Sequence, residues 1–206
     1  MSNAGGPTMP HEAIPLTERG HRQARQLADA LISEVGQPPA VLVSGMTRAQ
    51  QTAAPLCEHY DITPRVDQRL NEFSAIDPAR IKGLDGPRRK PFIMAYWNDP
   101  DPDRRLGREA DTFAEFQARV RSFLTSMDGL PHGTFIFGHG IWIGLLMWLL
   151  RGHEVDDGDG MRAFRRFQQA LPMPNCATFT LRLDNSQWTV SPRAYQKVCS
   201  KPGAIQ

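Results

Sequence analysis

The most restrictive stretch of this chain runs from Thr134 to Leu150, TFIFGHGIWIGLLMWLL, in which His139 is the one ionisable side chain. Its length stands at the short edge of what could span a bilayer. Gly138-His139-Gly140 interrupts it midway, and a histidine at that depth in lipid would be costly. A buried strand, a tight turn and a buried helix accommodate the same residues, so no membrane span is expected. Strands that are apolar on both faces belong to parallel sheets covered by helices on each side.

The rest of the chain supports that architecture. Residues 1–15 are rich in Gly and Pro and read as a loop. Thr17 is a helix N-cap, and Ala24, Leu27, Ala28, Leu31 and Ile32 recur at helical spacing up to Gly36. Ala40 to Val43 is a short apolar strand, and a second helix is predicted from about Thr47 to Tyr60. Residues 73–111 hold many prolines and charges and read as a long surface insertion or lid, with one short helix near Pro91 to Trp97. Asp111-Thr112 caps a third helix with an apolar face of Phe113, Phe116, Val120, Phe123 and Leu124. Strand 134–137, a helix over 141–150 and a helix over 160–170 follow. Residues 177–183 and 187–190 alternate as two strands joined by a turn, a possible antiparallel edge. Residues 191–206 form a tail. The expectation is one domain over residues 1–206, a three-layer α/β/α sandwich with a mostly parallel central sheet.

Composition excludes more than it selects. A net charge of +2, with 40% hydrophobic and 22% charged residues, demands neither nucleic acid nor an anionic membrane as partner. Three scattered cysteines, Cys57, Cys176 and Cys199, form no CxxC pair and no disulfide framework, which makes the cytoplasm the default location. The Arg162, Arg165, Arg166 cluster reads as a solvated helix face, with recognition of a second anionic group as the lesser alternative. Met161, Phe164 and Phe167 read as core contacts. His11 reads as a surface loop residue, and His21, His59, His132 and His153 as structural.

Two strand ends can carry chemistry. Val41-Leu42-Val43 delivers Ser44, with Arg48 at the start of the next helix; Phe135-Ile136-Phe137 delivers His139 at the start of another. In open parallel sheets ligands bind beyond the carboxyl ends of strands, and helix starts there favour anions. An arginine fork and a histidine at two such places could clasp a phosphate. Spacing alone leaves phosphate binding and purely structural roles both open.

Taken in order, LTERGHRQARQLADAL (16–31), VLVSGMTRAQQTAAPL (41–56), LNEF (70–73), FIFGHG (135–140) and PNCATFTLRL (174–183) resemble the successive motifs of the histidine phosphatase (phosphoglycerate-mutase-like) superfamily. The resemblance implies a phosphohydrolase acting on a small phosphorylated metabolite through a phosphohistidine intermediate, with no metal or cofactor. It makes Arg48 a phosphate-binding arginine, His139 the second phosphate-contacting histidine and Glu72 the general acid. A mutase is the less favoured activity. Oligomeric state stays open.

One departure is large. The family begins with an apolar strand ending in Arg-His-Gly, whose histidine is the nucleophile, and this sequence contains no such motif. The family's register, RHGES then two arbitrary residues then Asn, would make Asn3 a phosphate-pocket residue if that motif stood directly before Met1. Met1 is then an internal methionine with roughly a dozen residues upstream. Alternatively Ser-Asn-Ala is a cloning scar. The first is favoured because GGPT and IPLT continue naturally from the motif. The rival reading is a noncatalytic pseudophosphatase that binds a phosphorylated ligand or a protein.

Overall fold

A computed structural model describes residues 9–185 and 187–193. Its elements follow from local signals. Helix α1, Glu18–Glu34, begins where the Thr17 hydroxyl accepts the Gly20 N–H at 3.2 Å. It ends where Gly36, at φ 87°, bonds back to the Leu31 carbonyl. Of the five apolar positions at helical spacing, Ala24, Leu27, Ala28 and Leu31 are buried and Ile32 is partly buried against them. Strand β1, Val41–Val43, leads into helix α2, Thr47–Tyr60. A two-residue strand, β2, Arg65–Val66, follows; it carries no apolar alternation and was not expected.

The sheet order is β2-β1-β3, with β3 at Phe135–Phe137, and all pairs are parallel. Alternation along the strands divides the core in two. Leu42 and Ile136 point to one side, into a cluster with Phe113, Phe116, Phe123, Trp142 and Phe164. Val41, Val43, Phe135 and Phe137 point to the other, toward Leu27, Leu31, Ala53 and Leu56 of α1 and α2. The first side is covered by α4 (Phe113–Ser126), α5 (Gly140–Leu150) and α6 (Gly158–Ala170). Helices therefore cover both faces, as a parallel sheet requires. No helix among the described residues is long and apolar enough to cross a membrane.

The last two strands depart from expectation. β4, Thr178–Asp184, and β5, Gln187–Arg193, pair antiparallel around Asn185, which adopts φ 49°. They form their own two-stranded sheet rather than an edge of the parallel one. Trp188 anchors it, packing on the larger cluster and donating its indole N–H to Asp128 at 2.9 Å. The outer edge of β3 is consequently unpaired by any described strand, and Phe135 and Ile136 are only partly buried.

The insertion is more ordered than its prolines suggested. Helix α3 spans Gly86–Asn98, longer than the short helix expected near Pro91 to Trp97. Asp85 caps it by accepting the Arg88 N–H, and Pro87 stands in the first turn, where its missing donor is harmless. Tyr96 and Trp97 join Phe73 and Phe113 in an edge-to-face aromatic cluster. Two sets of bonds close the base. Ser74 and Asp111 exchange backbone and side-chain bonds at 2.9 and 3.0 Å, and Asp77 holds the Glu109 N–H and the Leu106 carbonyl.

Gly107 is required in that base. At φ 112° it would place a Cβ 2.3 Å from the Asp77 Cβ. Gly107→Ala should destabilise the fold by about 1–3 kcal/mol, read as a lowered thermal midpoint. Gly86→Ala, where a Cβ meets nothing within 4 Å, should be neutral or slightly stabilising. Equal midpoints for the two variants would refute the tight base.

Candidate functional site

β1 and β3 are parallel neighbours, so their carboxyl ends deliver Ser44 and His139 side by side, and the Ser44 N–H still bonds the Phe137 carbonyl at 3.0 Å. Hydrogen-bond logic fixes the proton on His139. Asn71 Oδ1 accepts the Gly45 N–H at 2.8 Å, so it is the oxygen of that amide. Ser44 Oγ lies 2.8 Å from the same oxygen and must donate to it. Its lone pairs therefore accept the Met46 N–H at 3.2 Å and His139 Nε2–H at 2.9 Å. That leaves Nδ1 as the unprotonated nitrogen. Burial first, then the Arg48 charge, hold His139 far below its usual range, at about 2. The imidazole is thus neutral.

Glu72 follows a short 3-10 turn, Gln68–Leu70, that Asp67 caps through the Arg69 N–H. Its carboxyl is partly buried. Oε2 accepts the Ile141 N–H at 3.0 Å, and Oε1 accepts those of Trp142 and Phe73 at 3.0 and 3.1 Å. His139, the N-cap of α5, has no side-chain capping bond, so Glu72 satisfies that helix start from across the sheet. Burial raises the proton affinity of Glu72, against the opposing pull of the three amides and Arg48. Arg119, paired with Asp111 at 3.1 Å, reaches the Asn71 carbonyl at 3.2 Å and holds the segment from behind.

Arg48 lies in the first turn of α2, whose N-cap Met46 offers no capping side chain. Its guanidinium donates to the His11 carbonyl at 2.8 Å and to the Met46 sulfur at 3.0 Å, and it lies 3.3 Å from His11 Nε2. No carboxylate pairs with it directly among the described residues. Burial disfavours its charge while the nearby Glu72 favours it, and a guanidinium stays protonated regardless. His11 is a correction to the sequence reading. The 3-10 turn His11–Ala13 carries it inward, its Nδ1 is buried without a partner, and burial with Arg48 lowers it to about 4.

The structure thus brings His139, Arg48 and Glu72 together at the carboxyl end of the sheet, while Asn3 lies outside the described residues. Asn71 and His11 were missed. Asn71 adjoins Glu72 in LNEF, a signal that could have flagged it; His11 has no sequence signal, since its position depends on a loop folding back onto α2. Ser44, delivered by the end of β1, bonds the imidazole. His153 stacks on Trp148 with centroids 4.4 Å apart, away from the crevice. Among the described residues no group of three or more His, Cys, Asp or Glu is arranged to hold a metal ion.

A neutral histidine and an arginine with no carboxylate partner among the described residues thus stand at adjacent strand ends of an α/β protein, where such folds bind their ligands. The sequence profile of the histidine phosphatase superfamily (branch 1) matches residues 1–194, and the chain belongs to that family. Solved structures agree on the fold. The alpha-ribazole phosphatase of Shigella flexneri is 20% identical with a TM-score of 0.69, covering 97% of this chain and 93% of that one. A mycobacterial glucosyl-3-phosphoglycerate phosphatase, solved with VO3, is 21% identical with a TM-score of 0.67, at 92% and 91% coverage. YhfR of Bacillus stearothermophilus is 22% identical with a TM-score of 0.67, at 94% and 90% coverage. No curated protein matches.

Both histidines stay neutral in the fold at pH values where an unfolded histidine takes a proton. Their contribution to stability is complete above about pH 6.5 and falls with pH, until about 4 for His11 and about 2 for His139. Between pH 7 and 5 one such group costs about 2 kcal/mol. Urea unfolding of His139→Asn should therefore lose about 2 kcal/mol less than the parent over that interval. Identical losses would mean that His139 titrates normally.

Proposed function

We propose that this protein is a phosphohydrolase that removes the phosphoryl group from a small phosphorylated metabolite through a phosphohistidine intermediate. The observation that carries the reading is the convergence of Arg48 and His139 at adjacent strand ends, an arginine without a direct acid partner beside a neutral imidazole. In a desolvated site the Arg48 guanidinium stabilises the charge that builds on the equatorial phosphoryl oxygens, and His139, whose N–H is held by Ser44, donates there only once Nδ1 takes up a proton. Two relatives in fold bear names of phosphatases acting on alpha-ribazole phosphate and glucosyl-3-phosphoglycerate, and one was solved with VO3. Those names support a phosphomonoester as the substrate class. Free Cys57 and Cys176 are compatible with a cytoplasmic location.

In this reading a histidine nitrogen attacks phosphorus, the ester oxygen leaves with a proton from Glu72, and water then cleaves the phosphorus–nitrogen bond, giving a proton back to Glu72 and freeing the histidine and inorganic phosphate. The raised proton affinity of Glu72 supports its role as acid. The attacking histidine belongs to an Arg-His-Gly motif that residues Met1 to Gln206 do not contain. Asn3 would follow it into the phosphate pocket.

The intact mass of the protein from its natural source tests this directly. A mass above 23.1 kDa by roughly a dozen residues supports the enzyme. A mass of 23.1 kDa would leave a pseudophosphatase that binds phosphorylated ligands without turning them over. In a protein that carries the Arg-His-Gly motif, Arg48→Ala or His139→Ala should lower kcat on a phosphomonoester by about 10²–10³-fold. Full activity in either variant would overturn the site.

A further inference from the structure

A second basic surface lies away from the strand ends. A cavity of about 370 Å³ opens between α3 and α6 and shares no residue with the Arg48–His139 crevice. Its volume falls in the range of small-molecule sites. Ile93, Met94 and Trp97 form its apolar wall, and Arg162, Arg165 and Arg166 supply its charge. The arginines lie on one helical face because their spacing is i, i+3 and i+4.

Arg162 and Arg166 are exposed, as a solvated helix face requires, but Arg165 is not. Arg165 is half-buried, with its guanidinium carbon 4.5 Å from the Trp97 ring centroid, and its one polar partner among the described residues is the Gln168 amide oxygen at 2.6 Å. Burial disfavours its charge, and no carboxylate compensates. A guanidinium partly stripped of water without a counter-ion is a strong acceptor for an anion. Arg166 is exposed and has no ion-pair partner among the described residues. Arg162 bonds Asp159 at 2.6 Å, but both side chains are exposed and water screens that pair. Three positive groups thus face one weakly held carboxylate, and Arg162 and Arg166 repel across one turn. A multiply charged anion would relieve that repulsion, and the stacked Trp97–Arg165 pair beside half-exposed Met94 offers a flat apolar surface next to it.

We propose that the α3–α6 groove is an anion site, separate from the strand-end crevice, for a small ligand carrying at least two phosphate charges and an apolar or planar body, the chemistry of a nucleoside diphosphate. Arg162 and Arg166 hold the phosphates, Arg165 bridges phosphate and ring, and Ile93 and Met94 contact the body.

Calorimetric titration of the full chain with ADP, with adenosine as the uncharged control, tests the site. ADP should bind and adenosine should not. Reversing both exposed charges (Arg162→Glu with Arg166→Glu) should weaken ADP by at least about tenfold, with the thermal midpoint confirming an intact fold. Arg48→Ala combined with His139→Ala should leave ADP affinity within about twofold, so this result is independent of any phosphatase activity. Absence of ADP binding would overturn the site, as would binding lost in the Arg48/His139 variant but kept in the charge reversal. A dimer that the charge reversal dissolves would give the groove to a second copy of the chain and equally overturn it.

Discussion

The partly buried Glu72 carboxyl accepts three backbone N–H groups, two of them from the first turn of α5. Without it, that helix would begin inside the protein with unsatisfied donors, since His139 supplies no capping oxygen. The same contact joins the segment after β2 to the end of β3 and fixes the distance between two parts of the crevice. Arg119 and Asp111 hold the Glu72 segment in turn, and α4 supplies Arg119. A single carboxyl thus connects the sheet end, the neck of the insertion and the helix behind the imidazole. Replacing it by an apolar residue would leave the α5 amides buried and unpaired, a larger loss than one exposed hydrogen bond.

The electrostatic character of the crevice follows from desolvation. Two imidazoles lie close to a guanidinium, and burial with mutual repulsion keeps both of them neutral. Positive charge in the crevice therefore resides on Arg48, and its present partners are a carbonyl, a sulfur and a ring nitrogen rather than an acid. An incoming anion would exchange neutral acceptors for a charged one, which is the favourable direction in a low-dielectric site.

Much of this was legible in the sequence, because it depended on local signals. Thr17, the apolar face of α1, the Thr112 cap of α4 and the bare strand 135–137 each declare an element through spacing or a capping residue. His139, Arg48 and Glu72 came from their places at strand ends and in motifs. The hydrogen-bond chain from Asn71 through Ser44 to His139 was not legible, since its members are 27 and 95 residues apart in sequence. The burial of His11 depends on a fold-back of 37 residues onto Arg48. β2 has two exposed residues and no alternation, so only its neighbour β1 makes it a strand. The length of α3 was hidden by Pro87 and Pro91, whose cost is small in a first turn and is offset further along by aromatic burial.

The neck of the insertion, where Ser74 meets Asp111 and Asp77 meets Gly107, has a consequence for how such a chain can diverge. Loop-closure entropy grows only slowly with length, so residues added or removed beyond a clamped base change stability little. The sheet and its crevice experience the insertion mainly through that base and the aromatic side chains of α3. The surface of α3 away from its groove with α6 is therefore free to drift in sequence while the strand ends stay fixed, and new contacts can be tried on one side of the molecule without disturbing the other.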